Sequence, residues 1–527
     1  MPTPLASQDH GDATAAASPV PTAGSVDLRT RAARYAQLAI LGVLAVLFVE
    51  LLLEAWVQEL LGSRTVDENG LLVGYLPDWP KDLKNGLLIL AAALSALKIT
   101  LERRWREFGT RTDIALVVLA LIMVLAGLLG TSGPVLIGEA LFVYLRGAIV
   151  FYAVRALQPT WEQVRGVLWI IVPLLGANIL VAAVQAVAGE PAYSGLGWVD
   201  MQWAQTNRAM GLLDHPNHLG HVLALVLIGL IAWISGQPRV SVRWWLAVGA
   251  AALGMAVTQS RESVLATLGA AVLIWFLRRG GLRPILVCAA IITVMFGGYT
   301  LARPGNLTEL LNRFGGVTSA VDTPSGNEDC EGFETNRECV EAGKVEKREI
   351  RLLFFQQGAR LLADRPVLGY GVGQFGGIVA EKNDPNWELD PRFPGGFDLY
   401  DFDGTTVDSF WLHLVVETGV VGLLSYLAWL ALIVVPLLGV TRRFAGRRVW
   451  GSSGPRAPAH GKAHAVALWG IGVMLLSVVI AVFSPALEDA IYPPLAFAIL
   501  GLAWAMTREV GAPERDVPVA AHAQADL

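Results

Sequence analysis

Twelve stretches of this sequence are apolar over about 20 residues, the length that an α-helix needs to cross the hydrocarbon core of a membrane. Hydrophobic residues make up 54% of the 527-residue chain and charged residues only 16%, whereas soluble domains contain about a quarter charged residues. The sequence therefore predicts an all-α membrane protein with about 12 transmembrane helices. The apolar stretches begin near Ala33, Gly86, Asp113, Val135, Gly166, Asn217, Trp244, Glu262, Pro284, Ser409, Ala465 and Ala490.

Polar segments divide the chain into five parts. Residues 1–32 are rich in Ala, Pro, Ser, Thr and Asp and have no apolar core, so we expect a disordered cytoplasmic tail. Helices 1–9 fall within 33–302 and helices 10–12 within 408–508, and a second cytoplasmic tail follows over 509–527. Between helices 9 and 10 lies one large loop, 303–407, whose 105 residues exceed the usual length of a connecting loop.

Lysine and arginine are distributed unevenly between the two sets of loops. In multi-pass proteins the short loops that are rich in Lys and Arg stay in the cytoplasm. The set on the N-terminal side carries most of the arginines, whereas the short loops of the other set hold only Arg64, Lys81, Lys84, Arg208 and Arg261. Both termini are therefore predicted in the cytoplasm, and the large loop is predicted outside.

The large loop contains two of the three cysteines, Cys330 and Cys339. Because thiols oxidise readily outside the cytoplasm, and because a metal site would need more ligands than this stretch offers, the pair predicts a disulfide. Cys288 lies in the middle of an apolar stretch, where we expect an inert core residue.

Two of the outward arginines lie beside predicted helix starts. Arg261 follows Ser260, a residue type that caps helices, and Arg208 precedes a start marked by Asp214 and Pro216. Helix N-termini carry about half a positive charge and free N–H groups, and arginine binds phosphate oxygens bidentately. The pattern favours a site for a lipid-linked diphosphate. The alternative is that each arginine extends to the membrane surface and binds lipid headgroups.

A third arginine, Arg351, lies in the large loop. Near it the apolar residues Ile350, Leu353, Phe354 and Leu361 recur at helical spacing. This periodicity predicts an amphipathic helix that lies on the membrane surface.

Four stretches together resemble the O-antigen ligase and polymerase superfamily of bacterial membrane glycosyltransferases. They carry an Arg-x-x-Gly followed by Pro-Asn, a Ser-Arg hairpin, a Pro-x-x-Gly-x-Gly segment and a final Glu-x-Gly-x-x-Gly. The resemblance spans about residues 166–424. The four stretches are "NRAMGLLDHPNHLGH", "TQSRESVLATL", "DRPVLGYGVGQFG" and "VDSFWLHLVVETGVVGLL".

The resemblance implies a GT-C-like fold and an inverting glycosyltransferase that needs neither a metal nor any other cofactor. Such an enzyme takes a glycan from undecaprenyl diphosphate and passes it to a hydroxyl of a glycan or lipid acceptor. The implied location is the bacterial inner membrane, with the active site facing the periplasm or the outside. Membrane lipids and a chain-length regulator protein are further expected partners, and nucleic acid is not.

By the same resemblance, three arginines bind the diphosphate: Arg208, Arg261 and Arg351. Arg261 and Arg351 are also expected to act in catalysis, because the leaving lipid diphosphate gains negative charge in the transition state. Further expected contacts to the diphosphate or the glycan are His215, Asn217, Gly371 and Glu417.

The final stretch departs from the ligase pattern. Ligases have His-Asn eleven residues before the first glycine of Glu-x-Gly-x-x-Gly, and here that position holds Asp408, followed by Ser409. We expect Asp408 to be the general base that deprotonates the acceptor hydroxyl. The structural alternative is that Asp408 caps the tenth helix. For His413, five residues further on, we expect packing rather than catalysis.

Two groups of potential metal ligands are set aside. His215, His218 and His221 are spaced by three residues and drift around a helix, so they converge poorly on one ion. Asp398, Asp401 and Asp403 fail the register of a calcium-binding EF-hand at Leu399. We therefore predict no metal site.

Three functions remain open. The leading hypothesis is a polymerase that joins lipid-linked repeat units of a surface polysaccharide. A ligase that transfers the finished glycan to a lipid or protein acceptor would use the same chemistry. A transporter or flippase belongs to another class, and symmetry-related halves with helices broken at mid-membrane are typical of it.

The predicted topology is open to a direct test. In a background without the native cysteines, a membrane-impermeant thiol reagent should label a cysteine placed at Ser319 in intact cells. It should label one placed at Ser18 or Ala520 only after permeabilisation, because those positions lie in the predicted cytoplasmic tails. Labelling of both tails in intact cells would reverse the orientation.

Overall fold

The computed structural model describes residues 23–67, 72–130, 132–237, 239–278, 282–302, 350–387, 406–444 and 457–511, without the side chains of 23–27, 350–353, 457–460 and 508–511. Helices dominate these residues, and a two-stranded antiparallel hairpin pairs Thr65–Val66 (β1) with Leu72–Val73 (β2). The first eight helices are α1 Ala23–Leu61, α2 Trp79–Glu102, α3 Arg111–Leu129, α4 Pro134–Leu157, α5 Trp161–Ala188, α6 Glu190–Gly195, α7 Gln202–Gln205 and α8 Pro216–Gly236. The other eight are α9 Val242–Thr258, α10 Arg261–Arg278, α11 Arg283–Leu301, α12 Ile350–Asp364, α13 Ile378–Asn383, α14 Phe410–Phe444, α15 Ala457–Phe483 and α16 Tyr492–Gly511. A 3₁₀ turn covers Trp105–Phe108.

A long helix lies at each of the twelve apolar stretches. Nine of these helices in the described part of the chain are long and apolar enough to cross a membrane. The other three fall short because α9 has 17 residues, the apolar part of α16 covers Tyr492–Thr507, and α10 carries charges at both ends. The protein is therefore a multi-pass membrane protein, and the number of twelve crossings stays a prediction.

Helices α8 and α15 form the centre of the bundle. Of their most apolar stretches 72% and 67% are buried, against 11% for α5 on the outside. The outer surface exposes large apolar side chains, including Leu121, Leu265 and Phe276. A soluble protein rarely exposes so much apolar surface, whereas lipid tails are an apolar solvent for it.

A polar cluster fixes the direction of the first helices. Arg155 Nη1 donates to Asp113 Oδ1 at 2.5 Å, and the Tyr152 hydroxyl donates to the same oxygen at 2.7 Å. Lys98 Nζ donates to the carbonyl of Ala156 at 3.0 Å. The C-terminal ends of α2 and α4 therefore meet the start of α3 at one face of the bundle.

The opposite face gathers residues 189–215, 259–263, 365–377, 406–410 and 484–491, and we call it the site face. Three long-range hydrogen bonds define it. Trp56 Nε1 donates to the Leu196 carbonyl at 3.0 Å, Ser132 Oγ to the Val372 carbonyl at 3.0 Å, and Phe410 N to the Ser484 carbonyl at 3.3 Å.

Both described flanks of the large loop lie at the site face. The Tyr299 hydroxyl near the end of α11 donates to the Asn207 carbonyl at 3.2 Å, and α14 begins beside Ser484. The described chain ends lie at the opposite face, because α1 ends and α16 begins at the site face. This arrangement agrees with the predicted topology, while the side of the membrane stays a prediction.

Several predicted features lie outside the described residues. They include the disulfide between Cys330 and Cys339 and the aspartates Asp398, Asp401 and Asp403. Cys288 is buried within α11, as expected of a core residue.

Candidate functional site

Arg208 joins the loop before α8 to the hairpin between α9 and α10. Its Nε donates to the Thr258 carbonyl at 3.1 Å, and its Nη2 donates to Asn217 Oδ1. The guanidinium also stacks over the Trp203 ring, 5.3 Å from its centroid. Because Thr258 precedes Arg261 by three residues, the two arginine motifs lie side by side on the site face.

His215 begins α8 as its N-cap. Its backbone is extended, and its Nδ1 accepts a hydrogen bond from Asn217 N at 3.0 Å, with Pro216 in the first turn. Burial, together with the positive charges of His218 and Arg208, lowers the pKa of His215 to about 3. The ring is therefore neutral near pH 7, as an accepting Nδ1 requires.

His215 and Pro216 therefore mark the start of α8. The side chain of Asp214 instead pairs with that of His218. Asp214 Oδ1 lies 2.6 Å from His218 Nδ1. Burial opposes ionisation of Asp214, but the charge and hydrogen bond of His218 outweigh it and lower the pKa of the carboxyl group.

The turn between α9 and α10 is tight and buried. Gln259 takes a left-handed conformation with φ of 54°, and Ser260 is fully buried. Val264 N donates to the Ser260 carbonyl at 3.2 Å, so Ser260 occupies the N-cap position as predicted. Its hydroxyl contacts Ser263 Oγ at 2.7 Å and Glu262 Oε1 at 3.2 Å, so the predicted cap lacks a side-chain bond to the backbone.

A glycine allows α8 to pack directly on this turn. A Cβ on Gly220 would lie 2.6 Å from Ser260 Cβ and 3.1 Å from Thr258 Oγ1. Arg261, half-exposed, begins α10 at this contact. The first two motifs therefore form one unit with two helix N-termini.

Arg351 lies in the first turn of α12, and its side chain is outside the description. The predicted amphipathic helix is present. Phe354 and Leu361 are buried, and a Cβ on Gly358 would lie 2.4 Å from Leu412 Cδ1. The apolar face of α12 thus packs on α14.

The glycine-rich segment 369–377 folds as a loop against an interruption in α14, and we call it the glycine loop. Gly369, Gly371 and Gly419 have φ of 66°, 112° and 66°, which disfavours any residue with a Cβ. Tyr370 N donates to the Val416 carbonyl at 3.0 Å, and Gly371 N to that of Glu417 at 2.9 Å.

Glu417 anchors the glycine loop. Its Oε1 accepts hydrogen bonds from Gln374 N at 2.8 Å and Phe375 N at 2.9 Å, and its Oε2 accepts one from the Tyr144 hydroxyl at 2.7 Å. The side chain is fully buried. These contacts favour a supporting role for Glu417 over contact with a substrate. The backbone packing of Gly371 likewise favours a supporting role for Gly371.

Asp408 is half-buried, and it does not supply the cap of α14. Leu412 N donates to Ser409 Oγ at 3.3 Å, so Ser409 is the N-cap and Asp408 precedes it. The structural alternative for Asp408 is therefore wrong in this chain, because the capping hydroxyl comes from its neighbour.

His413 is more than a packing residue. It is fully buried, and its Nδ1 lies 2.5 Å from Glu488 Oε1, while its Nε2 lies 2.6 Å from the Val407 carbonyl oxygen. The expectation of packing alone missed this polar network. The sequence analysis also missed Glu488 and Asp489. The sequence feature that could have identified them is a pair of carboxylates between two apolar stretches.

The loop 484–491 connects the two halves of the site. Asp489 Oδ2 lies 3.6 Å from His218 Nε2, at the start of α8, and Glu488 binds His413, next to Asp408. The neighbourhood of Arg208 and Arg261 is therefore continuous with that of Asp408 across the site face.

Among the described residues no group of three or more His, Cys, Asp or Glu side chains is placed to hold a metal ion. The three histidines of α8 point to different partners. His215 caps the helix, His218 binds Asp214, and His221 Nε2 lies 3.6 Å from Glu262 Oε1.

Residues 246–427 match the family model described as O-antigen ligase. This match supports the resemblance to the O-antigen ligase and polymerase superfamily and gives the chain an O-antigen ligase domain. The match covers about a third of the chain, from α9 through the first half of α14. No curated protein matches the chain significantly. The O-antigen ligase domain contains Arg261, Arg351 and Asp408, whereas Arg208 and Glu488 lie outside it.

The role of Glu417 as an anchor predicts a difference between two substitutions. Glu417→Ala leaves two buried N–H groups and the Tyr144 hydroxyl without an acceptor, so it should lower the free energy of unfolding by roughly 3 to 5 kcal/mol. Glu417→Gln keeps an acceptor for both N–H groups and should cost about 1 kcal/mol. The measurement is chemical unfolding in detergent, with Ser425→Ala on the exposed side of α14 as control. Equal losses from Ala and Gln would remove the anchoring role.

Proposed function

We propose that this protein polymerises repeat units of a surface polysaccharide, transferring a growing glycan from undecaprenyl diphosphate to a hydroxyl of the next lipid-linked unit. The observation that carries the proposal is the Arg208–Thr258 hydrogen bond. It brings two arginines and the starts of α8 and α10 together on one face. The match of residues 246–427 to the O-antigen ligase family supports a lipid-linked glycan and an acceptor as substrates.

We call Arg208, Arg261 and the N-termini of α8 and α10 the arginine unit, and this unit suits a lipid diphosphate. Arg208 and Arg261 supply positive charge, and the N-termini of α8 and α10 add their dipoles. We place Arg351 at the same group, at the start of α12. Charge develops on the departing diphosphate in the transition state, so fixed positive groups stabilise that state more than the bound donor.

An apolar cavity supports a lipid donor. It has a volume of about 210 Å³ and lies between α1, α4, α5, α8, α15 and α16. Phe48, Leu52, Val222 and Leu225 are among its lining residues. Val222 is five residues below Asn217, the side chain that binds Arg208. The cavity also extends to the opposite face, where α4 ends and α5 begins, so it suits the distal part of a polyprenyl chain whose diphosphate sits at the arginines.

Asp408 is the proposed base. Its carboxylate takes the proton of the acceptor hydroxyl as the new glycosidic C–O bond forms. The bond from the sugar to the diphosphate breaks on the opposite side with its electron pair, so the configuration inverts. The reaction needs neither a nucleotide sugar nor a metal. The proposed location is the inner membrane, with both termini cytoplasmic, the site face outside and a chain-length regulator protein as a partner.

A ligase is the second candidate, favoured by the description of the matching family model. Asp408 in place of the His-Asn of ligases favours the polymerase. The two functions differ in the acceptor and so in the distribution of products.

The size of the products separates these functions. Purified protein incubated with lipid-linked repeat units should give a ladder of products on a gel if it is a polymerase. A single discrete shift that appears only with an added lipid or protein acceptor would indicate a ligase. Movement of the donor across vesicles without any new glycosidic bond would contradict both and favour a transporter.

Arg261 and Asp408 should affect different steps. Arg261→Ala should weaken donor binding by roughly 2 to 5 kcal/mol and reduce turnover, and Arg261→Lys should restore only part of both, because lysine lacks the bidentate fork. Asp408→Asn should leave donor binding near normal and slow transfer by roughly 10²- to 10⁴-fold.

The measurements are calorimetric binding of the lipid-linked donor and the rate of product formation. Arg64→Ala is a matched control, because Arg64 lies on the site face and pairs with Glu59 at 3.2 Å. Near-normal transfer by folded Asp408→Asn protein would remove Asp408 from the reaction.

A further inference from the structure

The His413–Glu488 pair is completely enclosed by protein. Both side chains are fully buried, and the Nδ1–Oε1 distance is 2.5 Å. A buried ionisable pair of this kind is costly unless all its polar atoms have partners. Here they do, and none of the partners belongs to the arginine unit.

The partners dictate where the protons are. The Val407 carbonyl can only accept a hydrogen bond, so Nε2 of His413 must carry a proton. A second proton must lie between Nδ1 and Glu488 Oε1, either on an imidazolium or on a carboxylic acid. His413 thus donates firmly to the peptide bond that joins Val407 to Asp408.

The same pair is tied to the glycine loop. Ile378 N donates to Glu488 Oε2 at 3.0 Å, and Val407 N donates to the Gly376 carbonyl at 3.0 Å. A Cβ on Gly377 would lie 2.6 Å from Glu488 Oε2, so only glycine leaves room. Both polar groups of the Val407 backbone are therefore held immediately before Asp408.

We propose that His413 and Glu488 are positioning residues that fix the Asp408 carboxylate for proton abstraction by holding the Val407 carbonyl. The inference rests on the proposed function, in which Asp408 is the base. Neither residue touches the substrate. They act through the backbone, because the proton between Nδ1 and Glu488 leaves Nε2 as the nitrogen that donates to the Val407 carbonyl.

Two substitutions of His413 each remove one of its two side-chain hydrogen bonds and keep the other. The amide nitrogen of glutamine replaces Nε2, so His413→Gln keeps the bond to Val407 and loses the one to Glu488. The amide of asparagine replaces Nδ1, so His413→Asn does the reverse. Since a displacement of about 1 Å costs about 10²-fold in rate, we expect kcat to fall by about 10²-fold in His413→Asn and by about 10-fold or less in His413→Gln.

Donor binding should stay within about two-fold of wild type in both variants, and thermal unfolding in detergent reports whether they fold. His464→Gln is the matched control, because His464 is also buried but lies on α15, near Phe444 at the opposite face. Equal loss of kcat in the two His413 variants would overturn the proposal, since the bond to Val407 would then have no special role.

A double-mutant cycle provides the second test. Glu488→Ala removes the partners of both His413 Nδ1 and Ile378 N, so it should lower kcat by about 10²-fold in the native background and by less than about three-fold when Asp408 is already Asn, because a carboxylate that is absent needs no positioning. If the two effects multiply, Glu488 acts independently of Asp408 and the proposal is wrong. If Asp408→Asn alone is near normal, the base assignment in the proposed function fails first, and the positioning role fails with it.

Discussion

The glycine loop and the interrupted helix α14 share one set of backbone hydrogen bonds, and the rest of the site depends on it. Inside a bundle in lipid, a free N–H or C=O group finds no water, so each break in a helix needs a replacement partner. At Gly419 the partners come from the residues just before the glycine loop, since Val420 N donates to the Pro366 carbonyl at 2.9 Å and a Cβ on Gly419 would lie 2.1 Å from the Val367 carbonyl oxygen. Glu417 completes the set by accepting from Gln374 and Phe375.

The contacts at this junction also show how helices from the N-terminal part of the chain support the site. Tyr144 of α4 donates to Glu417, and Ser132 Oγ, just before α4, donates to the Val372 carbonyl. A Cβ on Gly130 at the end of α3 would lie 2.1 Å from the Tyr370 carbonyl oxygen. Helices α3 and α4, which lie outside the O-antigen ligase domain, therefore contact the glycine loop and the interruption in α14 directly.

Much of the fold could be predicted because hydrophobic length is a local property. Every apolar stretch holds a helix, and the amphipathic helix α12 was visible from its periodicity. Long-range partners were not visible, because nothing in a local pattern says which carboxylate meets which histidine. His413 looked like a packing residue since its partner, Glu488, is 75 residues away. For Asp408 the sequence left a cap open beside the expected base, because Asp and Ser cap helices equally well, and only the hydrogen bond from Leu412 N to Ser409 Oγ identifies the cap.

On the site face, the cationic groups and the proposed base belong to different helix starts. Cationic groups lie at Arg208 and Arg261, beside the starts of α8 and α10, whereas Asp408 lies just before α14. An anionic base beside the diphosphate would weaken its binding by like-charge repulsion, so the two must be separated. The loop 484–491 contacts both regions, since Asp489 lies 3.6 Å from His218 at the start of α8 and Glu488 pairs with His413 in α14. In the proposed function, that separation keeps the negative diphosphate of the donor away from the negative base.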